Sequence, residues 1–307
     1  MEQNNTQAFW LSPQQKRICL LESGVGPYRA MCWVEFNRRM EAGRLKSAIE
    51  KVVARHEILR TLFRGRAGLK IPFQIPFETG KLSWQAIDLI NGQAQPEKLL
   101  EELWQREQQR NFDLEQGPLL SATLIEKGEN ASALLLTMPS LCADRHSLDL
   151  LVDEISKTFA GQPPQGEPLR YVQFAQWAND LLESDEEVAN QGKKFWQEQE
   201  EFLPAKLPQE IRRDERLPFS PKLVLGRVDD VLRTRMDALL STRSLALREV
   251  LLCVWQVLLW RITLQPSFRT AVVFDGREYE ELQATPGLVA KNLPLVSRFE
   301  ADYSFEE

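Results

Sequence analysis

Three short segments hold residues whose types and spacing suit chemistry. The first is residues 138–147, M-P-S-L-C-A-D-R-H-S. It joins an apolar stretch to a helical one, and functional groups concentrate in such loops. Ser140 is a candidate nucleophile only with a base in hydrogen-bond reach. Cys142 and His146 have the types of a thiolate–imidazole pair, but Cys142 follows an apolar run and reads as a small core residue. Asp144 and Ser147 have the types and spacing of helix-capping residues. The second segment, residues 55–63, R-H-E-I-L-R-T-L-F, sets charges where a helix hands over to a strand. One reading is a catalytic His56–Glu57 pair. The other is a Glu57–Arg60 ion pair that fixes the corner, with His56 satisfied locally. A single pair near a turn is thin evidence for catalysis, so the structural reading leads. The third segment is Asp275-Gly276-Arg277. Gly276 permits a left-handed turn there, and Arg277 is either a partner for a buried charge or a surface residue.

Other chemistries are excluded by residue usage. The only histidines are His56 and His146, and Cys19, Cys32, Cys142 and Cys253 form no C-x-x-C pair. No zinc site of the usual spacing exists, and no metal is assigned. Scattered cysteines in apolar settings read as buried thiols in a reducing cytosol. The chain has 307 residues, 43% apolar and 27% charged, which is ordinary for a soluble globular protein. Its net charge of −6 argues against a surface that coats nucleic acid. The N-terminus lacks the pattern of a secretory signal. The most apolar stretch, residues 250–260, lies between Arg248 and Arg261 and is far shorter than the ~20 residues that cross a bilayer. The expectation is a cytoplasmic protein with neither a membrane nor a nucleic-acid partner.

The elements that must position these segments alternate between strand and helix. A short helix opens at Pro13 behind Ser12 as N-cap. Residues 30–36 read as a strand. Residues 41–55 form a helix whose buried face is Leu45, Ala48, Ile49, Val52 and Val53. Residues 58–64 read as extended, 73–77 as an edge strand, and 96–110 as a helix. Strands follow at 119–126 and 133–138, the latter buried on both faces, and then a helix from 147 to 159. The Gly/Pro-rich residues 161–168 read as a linker. Beyond it come helices at 171–182 and 187–202 and a Pro-interrupted stretch at 204–221. A strand at 222–228, helices at 230–240 and 247–263, and strands at 269–274 and 292–299 complete the pattern. Trp177, Trp196, Trp255 and Trp260 sit in helical patterns as packing residues. Two α/β blocks split by a linker give the fold class, α/β or α+β in two lobes, 1–168 and 169–307.

Together these segments resemble the condensation domain of nonribosomal peptide synthetases, with its chloramphenicol-acetyltransferase-like fold. Residues 55–63 match R-H-E-x-L-R-T-x-F throughout. Residues 11–17 are similar to the opening S-x-A-Q-x-R motif, and residues 112–120 match F-D-L-x-x-G-P-L-L. Residues 171–177 resemble Y-x-D-F-A-x-W, with Gln173 in place of Asp. Asp275-Gly276-Arg277 and residues 287–298, which include Asn292, resemble the later G-R and G-x-x-V-N-T-L-P-x-R motifs. The departure falls at the signature H-H-x-x-x-D-G, which here reads P-S-L-C-A-D-R over residues 139–145. Ser140 stands where the resemblance implies the histidine that assists amine attack on a thioester. A neutral hydroxyl is no base near pH 7 without a partner. Pro139 likewise removes the first Asp of the heterocyclising D-x-x-x-x-D variant.

The resemblance implies roles for named residues. Ser140 is the catalytic candidate at the histidine position. Pro139, Asp144, Arg277 and Arg60 are structural at the site, with Arg277 the candidate partner of Asp144. Ser140, Cys142 and Asn292 are assigned to the substrate tunnel between lobes. No cofactor is bound directly; phosphopantetheine arrives on a partner carrier protein. The leading expectation is a condensation-like domain that docks carrier-bound aminoacyl or peptidyl thioesters, or recruits a tailoring enzyme, without the usual His-dependent amide formation. Its partners are carrier domains, adjacent synthetase domains and possible tailoring enzymes. The alternative is an active, atypical condensation or acyltransferase domain that forms an amide or ester through Ser140 or substrate positioning. A stand-alone acyltransferase is a third reading, disfavoured by residues 55–63. Against the length of the family fold, the second lobe reads as C-terminally truncated, with an uncovered sheet edge.

Overall fold

The computed structural model describes residues 7–25, 28–89, 96–128, 130–198, 207–208 and 226–300. Most of the stretch expected at 204–221, residues 222–225 of the strand expected at 222–228, and the last seven residues lie outside these, and residues 226–228 are not in a strand. Contacts divide the chain into two units, residues 1–193 with 275–291, and residues 194–274 with 292–307. The lobe boundary expected at residue 168 falls inside the first unit.

In the first unit, α1 (Pro13–Val25) leads to β1 (Arg29–Phe36), α2 (Ala42–Arg55), a 3-10 turn (Glu57–Arg60), β2 (Thr61–Arg64), β3 (Phe73–Pro76) and β4 (Leu82–Asp88). Then come α3 (Pro96–Gln108), β5 (Leu120–Gly128), β6 (Ala131–Pro139), α4 (Arg145–Phe159) and α5 (Tyr171–Glu183), and the unit boundary at residue 193 falls within α6 (Glu187–Gln197). A four-stranded sheet runs β1-β6-β5-β4, antiparallel except for the parallel β4–β5 pair. β6 is the spine. Its Leu134, Leu136 and Met138 enter one core cluster, while Ala133 and Leu135 enter another. The period-2 pleat sends alternate side chains to opposite faces, so an unbroken apolar run serves two cores. Leu45, Ala48, Ile49, Val52 and Val53 of α2 are buried in the larger core region, and Leu103 of α3 closes the smaller one.

Three local expectations are corrected. Residues 57–60 are a 3-10 turn rather than extended, because four residues are too few to show a period. α4 begins at Arg145 with Asp144 as its cap, two residues earlier than the periodicity indicates. β4 adds a strand where the sequence pattern gives none, since its half-exposed edge position leaves little apolar signal.

The second unit holds α7 (Asp230–Arg243), α8 (Leu247–Thr263) and β7 (Ser267–Phe274), which is hydrogen-bonded to β8 (Lys291–Arg298). Between the two strands the chain returns to the first unit, where α9 (Glu280–Gln283) lies. Asp229 caps α7 by accepting from the Leu232 N–H at 2.7 Å. Phe299 stacks on Trp260 with ring centroids 5.0 Å apart and planes 5° apart, and also lies against Phe268. The tryptophans do not all pack inward: Trp177, Trp196 and Trp255 are between 44% and 51% exposed. Cys142 is the one fully buried thiol, and Cys19, Cys32 and Cys253 are half-buried. No helix among the described residues is long and apolar enough to cross a membrane.

Candidate functional site

The loop after β6 is shaped by its neighbours. Ser140 donates its backbone N–H to Tyr28 O at 3.1 Å, and Cys142 donates to Pro139 O at 2.9 Å, which closes a tight turn. Gln15 of α1 donates from Nε2 to Leu141 O at 2.9 Å. Gln15 is itself held by a reciprocal cap: its N–H donates to Ser12 Oγ, and its Oε1 accepts the Ser12 N–H. The Ser140 hydroxyl makes no hydrogen bond, to a base or to any other group, among the described residues.

Asp144 ends this loop at the N-terminus of α4. Its Oδ1 accepts from the Ser147 N–H at 2.9 Å and the Ser147 hydroxyl at 2.7 Å. Arg277 grips the carboxylate in a fork, Nη1 to Oδ2 at 2.7 Å and Nη2 to Oδ1 at 3.0 Å. Oδ2 also accepts from the Val289 and Ala290 N–H groups at 3.0 and 2.9 Å. Both side chains are buried, Arg277 at 1% and Asp144 at 4% exposure. Burial pushes the Asp144 carboxyl upward. The hydrogen bonds and charge of Arg277, with Ser147 and the Ala290 N–H, outweigh it and hold the group below the ordinary carboxylate range. Arg277 reaches further, to Asp275 Oδ1 at 2.8 Å and to the Thr285 and Gly287 carbonyls.

The segment that supplies these groups is fixed by glycine and tyrosine. Gly276 has φ +74° and packs against the Val289 carbonyl, and Gly287 has φ +148° with the Tyr171 ring where a Cβ would stand. Tyr171 donates its hydroxyl to Leu288 O at 2.8 Å and lies 2.8 Å from Ser12 Oγ. Full burial pushes the Tyr171 phenol far up, so it stays protonated and available as that donor. Five residues from four separated stretches, Ser12 with Gln15, Asp144, Tyr171 and Arg277, thus meet around one loop. Sequence reasoning missed Tyr171, Gly287 and the two N–H donors at 289 and 290. The available signals were a buried-type Tyr opening α5 and a lone glycine in an otherwise apolar G-L-V-A run.

The remaining assigned residues lie elsewhere. Arg60 is not in this cluster: it donates to the Ala54 carbonyl at 3.3 Å and to the Phe77 carbonyl. The corner ion pair is made differently from the expectation. Glu57 is paired with Arg170, because the 3-10 turn buries Glu57 toward α5. His56 is not satisfied locally: Nε2 lies 2.5 Å from Glu154 Oε2 on α4, 98 residues on, and Nδ1 is buried without a hydrogen-bond partner among the described residues. Cys142 is fully buried within the larger core, which is at odds with a tunnel-lining role. His146 is placed on α4, where Nε2 meets Gln283 O at 2.8 Å. Asn292 is exposed near the start of β8, in the second unit. No group of three or more His, Cys, Asp or Glu is placed to hold a metal among the described residues.

The condensation-domain family model matches residues 5–307. The chain belongs to the condensation-domain family. Its relatives place this condensation-family domain with nonribosomal peptide synthetases. It is 27% identical to tyrocidine synthase 3 of Brevibacillus parabrevis over 93% of the chain and 4% of that protein. It is 24% identical to bacitracin synthase 1 of Bacillus licheniformis over 96% of the chain and 6% of that protein. The domain therefore spans a small fraction of these curated relatives. Among solved structures, the condensation domain of the monacolin K polyketide synthase MokA superposes with a TM-score of 0.81 at 20% identity, covering 95% of this chain and 68% of that one. The first condensation domain of the calcium-dependent antibiotic synthetase, in complex with a substrate analogue, gives 0.80 at 17% identity, covering 98% and 71%. The X-domain from teicoplanin biosynthesis gives 0.78 at 21%, covering 99% and 68%. At these identities the likeness establishes the fold: mixed helix and strand in the condensation-domain, chloramphenicol-acetyltransferase-like architecture.

Proposed function

We propose that this condensation-family domain docks carrier-bound aminoacyl or peptidyl thioesters and forms no amide by the His-dependent route. The observation that carries this reading is the contrast within one loop. The frame around Asp144 and Arg277 is fully built, yet position 140 offers a hydroxyl without a base. Proton removal from an attacking amine needs a group of suitable pKa within about 3 Å, directly or through one water. Ser140 has neither that pKa nor a partner to lend it. His146 is engaged with Gln283 O, and His56 with Glu154 inside the core. Fold likeness does not decide between the readings, since a condensation domain in complex with a substrate analogue and the X-domain superpose about equally well. A solved complex joins the teicoplanin X-domain to OxyB, and recruitment of a tailoring enzyme is proposed here by the same logic. Phosphopantetheine on the carrier is the proposed ligand arm.

The test loads donor and acceptor carriers, adds the domain within its parent polypeptide, and follows amide product by mass spectrometry alongside carrier binding by calorimetry. Carrier binding without amide is the expected result, and Ser140→Ala leaves that binding unchanged. Turnover that survives Ser140→Ala would sink the lost-base argument. Turnover abolished by Ser140→Ala would establish the atypical acyltransferase instead.

A further inference from the structure

The β2–β3 hairpin concentrates positive charge on an acidic chain. Residues 60–81 carry Arg60, Arg64, Arg66, Lys70 and Lys81 against the single anion Glu78, although the whole chain has a net charge of −6. A cavity of about 210 Å³ opens at its base. Leu62, Phe77 and Leu119 line it together with Arg60, Arg64 and Lys81, and no carboxylate does. Arg64, Arg66, Lys70 and Lys81 are exposed, and none of them has an ion pair among the described residues. Two carboxylates of the adjoining turn are engaged otherwise: Glu115 accepts the Gly65 N–H, and Asp113 accepts the Glu115 and Gln116 N–H groups. Beyond the cavity, the turn at Gly68 presents Leu69, 46% exposed, between Arg66 and Lys70.

Cations without ion-pair partners around an apolar cleft mark an interaction surface, because four exposed positive charges outnumber the nearby Glu78 and Glu115 carboxylates and raise the local potential. We infer that this hairpin groove binds an acidic protein segment, seating one aliphatic side chain against Leu62, Phe77 and Leu119 while carboxylates meet Arg64 and Lys81. A lone small anion fits less well. The cavity is smaller than the ~300–1,000 Å³ of small-molecule sites, and the charge continues along the hairpin to Arg66 and Lys70, beyond the reach of one anion. Single-stranded nucleic acid fits less well too. It needs open aromatic faces for stacking, and the Phe77 ring is covered by the Arg64 guanidinium at 5.3 Å. This surface does not depend on whether the domain condenses, docks or recruits.

The experiment is fluorescence anisotropy on the whole chain with a labelled peptide of repeating Glu-Glu-Leu, and with its Gln-Gln-Leu counterpart. The acidic peptide binds in low salt and weakens as salt approaches physiological ionic strength, where the Debye length is about 8 Å. The double variant Arg64→Glu/Lys81→Glu weakens binding by at least about tenfold. Both side chains are exposed, so the fold is retained, which circular dichroism verifies. Reversal of Lys98 and Lys157, exposed cations on α3 and α4, leaves binding unchanged. Each of four results would overturn the inference: no binding by the wild-type chain, equal binding of the Gln peptide, equal binding by the double variant, or displacement by inorganic phosphate or oligouridine in preference to the acidic peptide.

Discussion

Removing Asp144 should damage the first unit more than removing its partner Arg277, and the structure gives the reason. Asp144→Ala strips the fork from a guanidinium that is 1% exposed. It also removes the α4 cap and leaves the Val289 and Ala290 N–H groups without their acceptor. Breaking a buried pair costs about 3–5 kcal/mol and losing a cap about 1 kcal/mol, so a loss of about 4–6 kcal/mol is expected. Arg277→Ala leaves the carboxylate with Ser147 and two backbone donors, as Asp144→Ala leaves the guanidinium with Asp275, Ser147 Oγ and two carbonyls; Arg277→Ala keeps the α4 cap, however, so its cost should be about 1 kcal/mol smaller. The double variant should lose less than the sum of the singles by about 1–3 kcal/mol, as contacting residues do. Urea denaturation followed by circular dichroism at neutral pH measures all three. The acid limb adds a second readout. The folded Asp144 carboxyl lies below its ordinary value. Its contribution is therefore complete above the unfolded value of about 3.9 and is lost as pH falls through the lower folded value. Arg277→Ala removes the strongest depressing partner and moves the folded value up towards the unfolded one, so the acid loss must become smaller and end at higher pH. Equal costs for the two single variants, or strict additivity, would refute the reasoning.

Three further outcomes follow from other residues. Gly287→Ala places a Cβ into the Tyr171 ring at a backbone angle of φ +148°, so it should cost several kcal/mol, at or above the ~1–3 kcal/mol of overpacking alone; soluble yield and a denaturation curve report it, and a wild-type curve would contradict the close packing. Burial raises the Cys32 thiol from 9.0 to about 11, which leaves about 100-fold less thiolate at pH 8 than an unperturbed group; peptide mapping after timed iodoacetamide treatment should find Cys32 slow, and labelling at the rate of a free thiol would oppose it. Ser140→His restores a group able to take a proton, so amide product from loaded carriers should rise if the missing base is what limits this domain; unchanged product in a variant that still binds carrier would place the block elsewhere.

How far each feature is readable follows from how local its cause is. The α2 face and the β6 spine are readable because their signals are dense: helical spacing over 14 residues in one, unbroken apolar character in the other. The 3-10 turn at Glu57 and the edge strand β4 are not, since a four-residue turn has no period and a half-exposed edge strand mixes polar and apolar residues. The site divides along the same line. Asp144 and Ser147 as cap residues are three apart, and their types announce the role. Arg277 could be nominated as a partner only through resemblance, because 133 residues separate it from Asp144. The partner chosen for Glu57 failed for the same reason. Arg60 is near in sequence, but Arg170 is near in space, and no propensity carries information across that distance.

That distance bears on the function as well. A carboxylate that accepts six donors from three stretches of chain is a device for holding loop 139–145 and segment 285–290 in one geometry. Such a frame is costly to desolvate, and by itself it moves no proton. It is useful only if the loop it holds must present a fixed surface. With a base at position 140 that surface would serve catalysis. On the docking reading proposed above, the frame with Ser140 serves positioning, because docking a thioester arm requires the same fixed geometry as attacking one. Loss of the base and retention of the frame are therefore compatible, and carrier binding should depend on Asp144 and Arg277 far more than on Ser140.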